Sequence, residues 1–187
     1  MNGENGITDV SGFPEPPFEF ETKEGRTVEV RVYKDEEGEE KEDDEKGDRA
    51  ALRQMYDEFD SADRAQGIPP VREDALERWL DTVLEGINVV AWCDGDAVGH
   101  ATLVEDERLD AHELAIFVLQ SYQGEGVGSR LMYGTLAHAY ELGVRDVWLT
   151  VERWNHAAIR LYRKTGFAVT MQESFEIEMA TRLVKQT

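Results

Sequence analysis

The chain has 187 residues, and its 41% of hydrophobic residues suits one globular domain with a full core. Its 40 acidic residues against 20 Lys and Arg give a net charge of −20, which disfavours nucleic-acid binding because no basic stripe is present to meet phosphates. No run of about 18 apolar residues occurs and the N-terminus lacks the features of a secretory signal, so the sequence predicts no membrane span and a cytoplasmic protein.

The acidic excess is spread along the chain. Residues 35–48 form its densest run and predict a solvated acidic loop, but they contribute only −8 of the net −20. Lysines are also few, six against fourteen arginines. A globally acidic, lysine-poor chain resembles the proteins of salt-accumulating halophiles, in which molar salt screens self-repulsion. A low-salt protein that attracts cationic partners is the alternative.

The first half of the chain predicts one strand and two helices. Residues 1–20 are rich in glycine, proline and acids and predict a mobile N-terminal arm, after which residues 21–187 form a single domain. Residues 27–33 alternate apolar and polar side chains, as in a half-buried strand. A helix begins near Asp48, a plausible N-cap, and a second helix spans about residues 71–85.

The second half of the chain changes period and predicts a sheet with two further helices. Its predicted strands are 88–93, 97–104, 113–119, 146–151, 167–172 and 175–179, and its predicted helices are 127–142 and 155–164. The resulting element order is β-α-α-β-β-β-α-β-α-β-β.

A glycine-rich segment joins the strand at 113–119 to the helix after it. Gly124, Gly126 and Gly128 stand at alternate positions directly before the helix. The first turn of a helix leaves N–H groups unpaired and its dipole favours anions, while glycine lets the backbone approach a diphosphate. The spacing matches neither a P-loop nor a Gly-x-Gly-x-x-Gly dinucleotide fingerprint. The segment predicts a phosphate site, with a plain helix start in a tight turn as the alternative.

Two segments resemble the GNAT acetyltransferase superfamily. Its signature Gln/Arg-x-x-Gly-x-Gly/Ala is met by Gln123, Gly126 and Gly128, and its pattern Asn-x-x-Ala-x-x-x-Tyr-x-x-x-Gly-Phe is met at every fixed position of residues 155–167. The element order is also similar, over about residues 26–180. The resemblance implies an α/β (α+β) fold, with a mixed, mostly antiparallel central sheet of about six to seven strands flanked by helices.

The resemblance also implies transfer of an acetyl group from acetyl-CoA to a primary amine, by direct attack in a ternary complex and without a metal. Backbone amides of the glycine-rich segment would hold the pyrophosphate, and the preceding strand would pair with the pantetheine arm and polarise the thioester carbonyl. Tyr162 would protonate the leaving thiolate. The implied cofactor-binding residues are Ile116, Phe117, Val118, Gln123, Gly124, Glu125, Gly126, Val127, Gly128, Ser129 and Asn155.

The general base is less well defined. His112 stands eleven residues before Gln123, where the histone-acetylating branch has a glutamate, and Glu113 is its neighbour. Successive strand residues face opposite sides, so only one of the two can point inward. His100 and Glu105 on the preceding strand remain candidates.

The acceptor stays open. By resemblance, residues 59–72 and 172–175 would shape its site, and small amines, polyamines, amino acids and protein amines are all compatible with the sequence. A homodimer is possible. A non-catalytic acyl-CoA-binding sensor or interaction module is the alternative function, and an acidic adaptor acting through residues 35–48 is another.

Overall fold

The computed structural model describes residues 6–34, 47–60 and 69–186. Among these residues, no helix is long and apolar enough to cross a membrane. The strands are β1 Ile7–Asp9, β2 Phe18–Glu21, β3 Thr27–Val32, β4 Ile87–Cys93, β5 Asp96–Asp106, β6 Ala111–Val118, β7 Asp146–Glu152, β8 Ala168–Gln172 and β9 Glu176–Val184. The helices are α1 Asp48–Asp57, α2 Glu73–Leu84, α3 Val127–Glu141 and α4 His156–Thr165, and a 3₁₀ turn spans Gln120–Tyr122.

All nine described strands belong to one sheet, in the order β1-β9-β7-β6-β5-β4-β3-β2, with β8 paired to β9 beside β1. Only the pairs β6–β7 and β1–β9 are parallel. This confirms the predicted mixed, mostly antiparallel sheet. The element order from β3 onward is the predicted one, and the additional strands lie before it.

The predicted mobile arm, residues 1–20, differs from the structure over its described part. Residues 7–9 pair in parallel with β9, and Phe18 begins β2, which pairs with β3. A Cβ atom on Gly134 of α3 would come within 2.9 Å of the Phe18 ring, so this ring packs directly on the helix. The segment is ordered because it pairs with distant strands and packs an aromatic ring against α3, although its local composition favours mobility.

The helices cover both faces of the sheet. His100 of β5 contacts Tyr56 of α1, with ring centroids 5.9 Å apart. A Cβ atom on the preceding Gly99 would lie 3.3 Å from Leu131 of α3. Because successive strand residues face opposite sides, α1 and α3 lie on opposite faces. The apolar residues of β4 and β5 are therefore buried on both sides.

Asp48 has a different role from the predicted one. The N-cap of α1 is Gly47, and Asp48 is the first helical residue, only 3% exposed. Arg31 of β3 donates two hydrogen bonds to its carboxylate, at 2.7 and 2.8 Å, and the backbone N–H of Lys34 donates a third at 2.9 Å. Asp48 therefore joins β3 to α1 and is not part of a solvated loop. The rest of the predicted acidic loop, 35–46, lies outside the described residues.

Candidate active site

The glycine-rich segment forms an uncapped helix start. Gly124 and Gly126 have positive φ angles of 77° and 96°, a conformation that glycine adopts without strain. Gly126 is the N-cap of α3 and makes no side-chain capping bond. The first backbone hydrogen bond of the helix runs from Arg130 N to Gly126 O, at 3.1 Å. The N–H groups at positions 127–129 therefore have no acceptor within the helix. Three donors and the positive end of the helix dipole meet at this point.

Strands β6 and β7 separate before they reach this helix start. They pair only at His112 with Val147 and at Glu113 with Trp148. Beyond these pairs, residues 114–118 of β6 have β5 on one side and a gap toward β7 on the other. An open strand edge of this kind can pair with an extended ligand that carries amide groups.

The backbone of β6 presents alternate residues to this gap. Leu119 N–H donates to Val98 O of β5 at 3.0 Å. Since backbone groups alternate in direction along a strand, those of Phe117 also face β5, and those of Ile116 and Val118 face the gap. Gln123 donates from Nε2 to Val118 O at 3.0 Å, which ties the glycine-rich segment to the end of the gap.

Helix α4 lies against the same helix start. A Cβ atom on Gly128 would have ordinary contacts of 3.8 Å with Leu161 of α4 and with Val118 of β6. Tyr162, the next residue of α4, packs against Phe167 with ring centroids 5.9 Å apart. Burial raises the pKa of the Tyr162 phenol to about 12, so it is protonated at neutral pH. Such a group can donate a hydrogen bond or proton but is a poor base.

Asn155 begins α4. Its Oδ1 accepts a hydrogen bond from Ala158 N at 3.1 Å, which makes Asn155 the N-cap of the helix. The amide nitrogen of this exposed side chain is a potential donor to a ligand. Asn155 therefore has a structural role in α4 besides its predicted contact with the cofactor.

The two predicted base candidates face opposite sides of the sheet. Glu113 is on the same face as Phe117, whose ring contacts Tyr56 of α1 at a centroid distance of 5.6 Å. His112 lies on the face covered by α3. Partial desolvation and the nearby negative charge of Asp106 raise the pKa of the Glu113 carboxyl, although the residue is exposed.

His100, the base candidate on β5, is completely buried in a hydrogen-bonded chain. Asn88 donates from Nδ2 to the carbonyls of Val83 and Gly86, both at 2.9 Å, which turns its Oδ1 toward His100 Nε2 at 2.9 Å. His100 therefore donates from Nε2 and accepts from the Tyr56 hydroxyl at Nδ1, 2.5 Å away. Burial lowers its pKa to about 3, so it is a neutral packing residue at pH 7.

Two open pockets lie near the candidate residues. One, of about 400 Å³, is bounded by the β5–β6 turn and includes Glu105, Asp106 and Glu113. The other, of about 790 Å³, is lined by Arg153 and residues 172–176, and so contains the predicted acceptor segment 172–175. Of the other predicted acceptor segment, 59–72, residues 61–68 lie outside the described part. No group of three His, Cys, Asp or Glu that could hold a metal occurs in the described ranges.

Sequence reasoning missed the contacts between the β2–β3 turn and the glycine-rich segment. Lys23 Nζ donates to Gly124 O at 2.7 Å, and Arg26 donates to Ser121 O at 2.8 Å. These residues carry no pattern of their own, and the turn and the segment are about a hundred residues apart in sequence. Only the arrangement of the strands brings them together.

The candidate site thus combines a slot between diverging strands, an uncapped glycine-rich helix start and a half-buried tyrosine. A model described as the acetyltransferase (GNAT) family matches residues 50–167, more than half of the chain. The chain belongs to the GNAT acetyltransferase family.

Individual relatives match over shorter segments. The chain is 36% identical over 84 residues to an uncharacterized N-acetyltransferase of Mycobacterium tuberculosis, a match covering 45% of this chain and 54% of that protein. It is 33% identical over 82 residues to the spermidine N(1)-acetyltransferase of Escherichia coli K12, covering 43% and 44% of the two. The chain thus spans about half the length of these curated relatives.

The fold is also found among solved structures. The yncA protein of Salmonella typhimurium, solved with its cofactor acetyl-CoA, matches 86% of this chain and 96% of its own with a TM-score of 0.63 and 22% identity. At this identity the match establishes the shared fold.

Proposed function

We propose that this protein is an N-acetyltransferase that moves an acetyl group from acetyl-CoA to a primary amine. The observation that carries the proposal is the slot between β6 and β7, which leads from Ile116 and Val118 directly to the uncapped start of α3. Family membership supports this function, as does the presence of acetyl-CoA in a protein of the same fold.

Each part of the cofactor has a matching part of the site. The diphosphate would accept hydrogen bonds from the N–H groups at 127–129 and from the preceding glycine-rich backbone. The pantetheine arm, which is extended and contains two amides, would pair with the gap-facing groups of Ile116 and Val118. One of these N–H groups would polarise the thioester carbonyl, and the Asn155 amide would bind the arm.

The reaction follows by direct attack. The neutral amine would add to the thioester carbon, and a C–N bond would form as the C–S bond breaks. The amine would lose one proton to solvent or to the base, and coenzyme A would leave as a thiolate that takes up one proton from solvent. Tyr162 donates to the sulfur as charge develops there. Because a thiol has a pKa of about 8.5, full transfer from a phenol of pKa about 12 is uphill, so the hydrogen bond itself stabilises the leaving group.

We assign the base to Glu113 in preference to His112. A protonated amine with a pKa of about 10 must lose a proton before attack. Glu113 lies on the face of α1, the helix that precedes the predicted acceptor segment, and its raised pKa makes it a better proton acceptor than an ordinary glutamate. His112 faces α3 on the other side of the sheet.

The acceptor is proposed to be a small-molecule amine with positive charge. The pocket that contains the candidate base is lined by four acidic side chains and one cation: Glu105, Asp106, Glu107 and Glu113, and Arg108. Its net negative charge would attract an ammonium group. The match to a spermidine acetyltransferase supports the same class of acceptor. A protein lysine or N-terminus is the competing outcome of an acceptor screen.

Calorimetric binding tests the cofactor part of the proposal. Acetyl-CoA and desulfo-CoA should both bind and ATP should not, and measurements at low and at multimolar KCl also test the proposed halophilic character. No binding by a folded protein would remove the enzyme proposal.

The substitution Tyr162→Phe tests the catalytic part of the proposal. Turnover should fall by roughly 10²-fold or more with little change in acetyl-CoA affinity, because only the leaving-group donor is lost. Unchanged turnover would exclude Tyr162 from this role, and binding without turnover of any amine by the wild type would favour a non-catalytic sensor.

A further inference from the structure

The glycine-rich segment is held from outside by the turn between β2 and β3, residues 22–26. This turn is itself rigid, since Thr22 N donates to Arg26 O at 2.8 Å and Thr22 Oγ1 accepts from Arg26 N at 3.1 Å. Its Gly25 has a φ of 81° and donates to Thr22 O at 3.0 Å. The turn can therefore act as a fixed support.

Lys23 determines how one peptide group of the glycine-rich segment is oriented. Its Nζ donates to Gly124 O at 2.7 Å. In a trans peptide the C=O of one residue and the N–H of the next point in opposite directions. The N–H of Glu125 must therefore point away from the β2–β3 turn. Since Gly124 has no side chain to restrict rotation of this peptide, the bond to Lys23 supplies the missing restraint.

Arg26 holds the preceding 3₁₀ turn in the same way. It donates to Ser121 O at 2.8 Å, and its guanidinium lies over the Tyr122 ring with Cζ 3.9 Å from the centroid. The N–H of Tyr122 accordingly points to the opposite side, where it donates to Leu119 O at 2.8 Å. Carbonyl oxygens, which would repel an anion, are thus kept on the side of the β2–β3 turn.

The turn also holds the one acidic side chain of the glycine-rich segment. Glu24 N donates to Glu125 Oε2 at 3.1 Å, and Arg26 lies 4.0 Å from the same oxygen. The Glu125 side chain is only 11% exposed. A free carboxylate here would oppose the binding of a diphosphate, and these contacts both hold it and partly neutralise it.

We propose that Lys23 and Arg26 are positioning residues for the coenzyme, which orient the backbone donors of the segment 123–129 without touching the ligand. This inference rests on the proposed acetyl-CoA function. It assigns to the N-terminal hairpin a part in cofactor affinity, and it explains why the hairpin turn carries two cations in a chain with a net charge of −20.

The substitution Lys23→Met tests the proposal when its affinities for several ligands are measured. Coenzyme A and dephospho-CoA should lose affinity by the same factor, about three- to tenfold, because both contain the diphosphate that the oriented donors bind. Pantetheine, which lacks it, should bind unchanged. The KM for acetyl-CoA should rise with kcat unchanged at saturation, and Lys23→Arg should restore affinity. Arg78→Met, which removes one charge from an exposed site on α2, is the control.

Two results would overturn the proposal. Unchanged affinity in Lys23→Met would show that the hydrogen bond to Gly124 has no effect on binding. A loss confined to coenzyme A and absent with dephospho-CoA would show direct contact with the 3′-phosphate instead of positioning.

Hydrogen exchange of the free protein separates this proposal from the proposed function. Amides of residues 123–129 should exchange faster in Lys23→Met than in the wild type, with the rest of the fold unaffected. If the wild type binds no coenzyme A, the proposed function fails, and equal exchange rates in the two proteins would independently refute the orienting role of Lys23.

Discussion

Replacing His100 by glutamine should reduce the sensitivity of folding to acid. His100 is fully buried and its pKa is lowered by burial from 6.5 to about 3. The unfolded chain therefore binds a proton between these values and the folded protein does not. The stability conferred by the neutral imidazole is complete above pH 6.5 and is lost as the pH falls toward 3. Between about pH 7 and pH 5 this one group should remove about 2 kcal/mol from the free energy of unfolding.

Urea denaturation at the two pH values, at one KCl concentration, measures this loss. Many carboxylates also titrate, but they do so in both proteins, so the difference between wild type and His100→Gln isolates the histidine. Glutamine can keep one donor and one acceptor in the chain between Tyr56 and Asn88. The wild type should lose about 2 kcal/mol more than the variant. Equal losses in the two proteins would refute the assignment of His100 as a buried neutral group.

Two further substitutions test the candidate active site. Gly126→Ala should weaken acetyl-CoA binding by about tenfold, because a φ of 96° strains an alanine by about 1–2 kcal/mol. In the control Gly128→Ala the added Cβ makes ordinary contacts of 3.8 Å, so this variant should bind nearly as the wild type does. Equal effects of the two substitutions would contradict this reasoning. Glu113→Gln should lower kcat and remove the acid limb of the pH–rate profile that reports the Glu113 carboxyl, while the control Glu105→Gln should retain it. An unchanged profile in Glu113→Gln would exclude Glu113 as the base.

The element order and the glycine-rich segment could be predicted because their signals are local. Helical and strand periods lie within each element, and Gly126, the cap of α3, precedes its helix directly. The same holds for Asn155, which begins α4 and caps it. Patterns of this kind need no knowledge of distant contacts, which is why most boundaries from β3 onward agree within two residues. The end of β9 is an exception, because the strand runs to Val184 and not to the predicted 179.

The N-terminal strands could not be predicted because they depend on partners far along the chain. Residues 7–9 pair with residues 182–184, and the hydroxyl group of Thr8 bonds Thr165 O at 2.9 Å. Similarly, the hydrogen bonds of His100 become visible only when α1 and β4 are placed around it. From the sequence alone, the N-terminal segment was therefore predicted to be mobile, and His100 remained a candidate base.

The roles of the proposed catalytic and cofactor-binding residues remain predictions. The fold brings Ile116, Val118 and the start of α3 into one continuous line. It also places the side chains of Glu113 and His112 on opposite faces of the sheet. The sequence alone predicted that only one of them can point inward, but not which one.

The pairing of β1 and β8 along β9 has a consequence for solubility. β9 is nine residues long, and its outer side is occupied by β8 along its first part and by β1 along its last. The sheet therefore ends in strands of only three, five and, at the other side, four residues. Short edges offer few free backbone groups to another chain. Removal of residues 1–20 would therefore take away β1 and leave the end of β9 unpaired, which would favour aggregation.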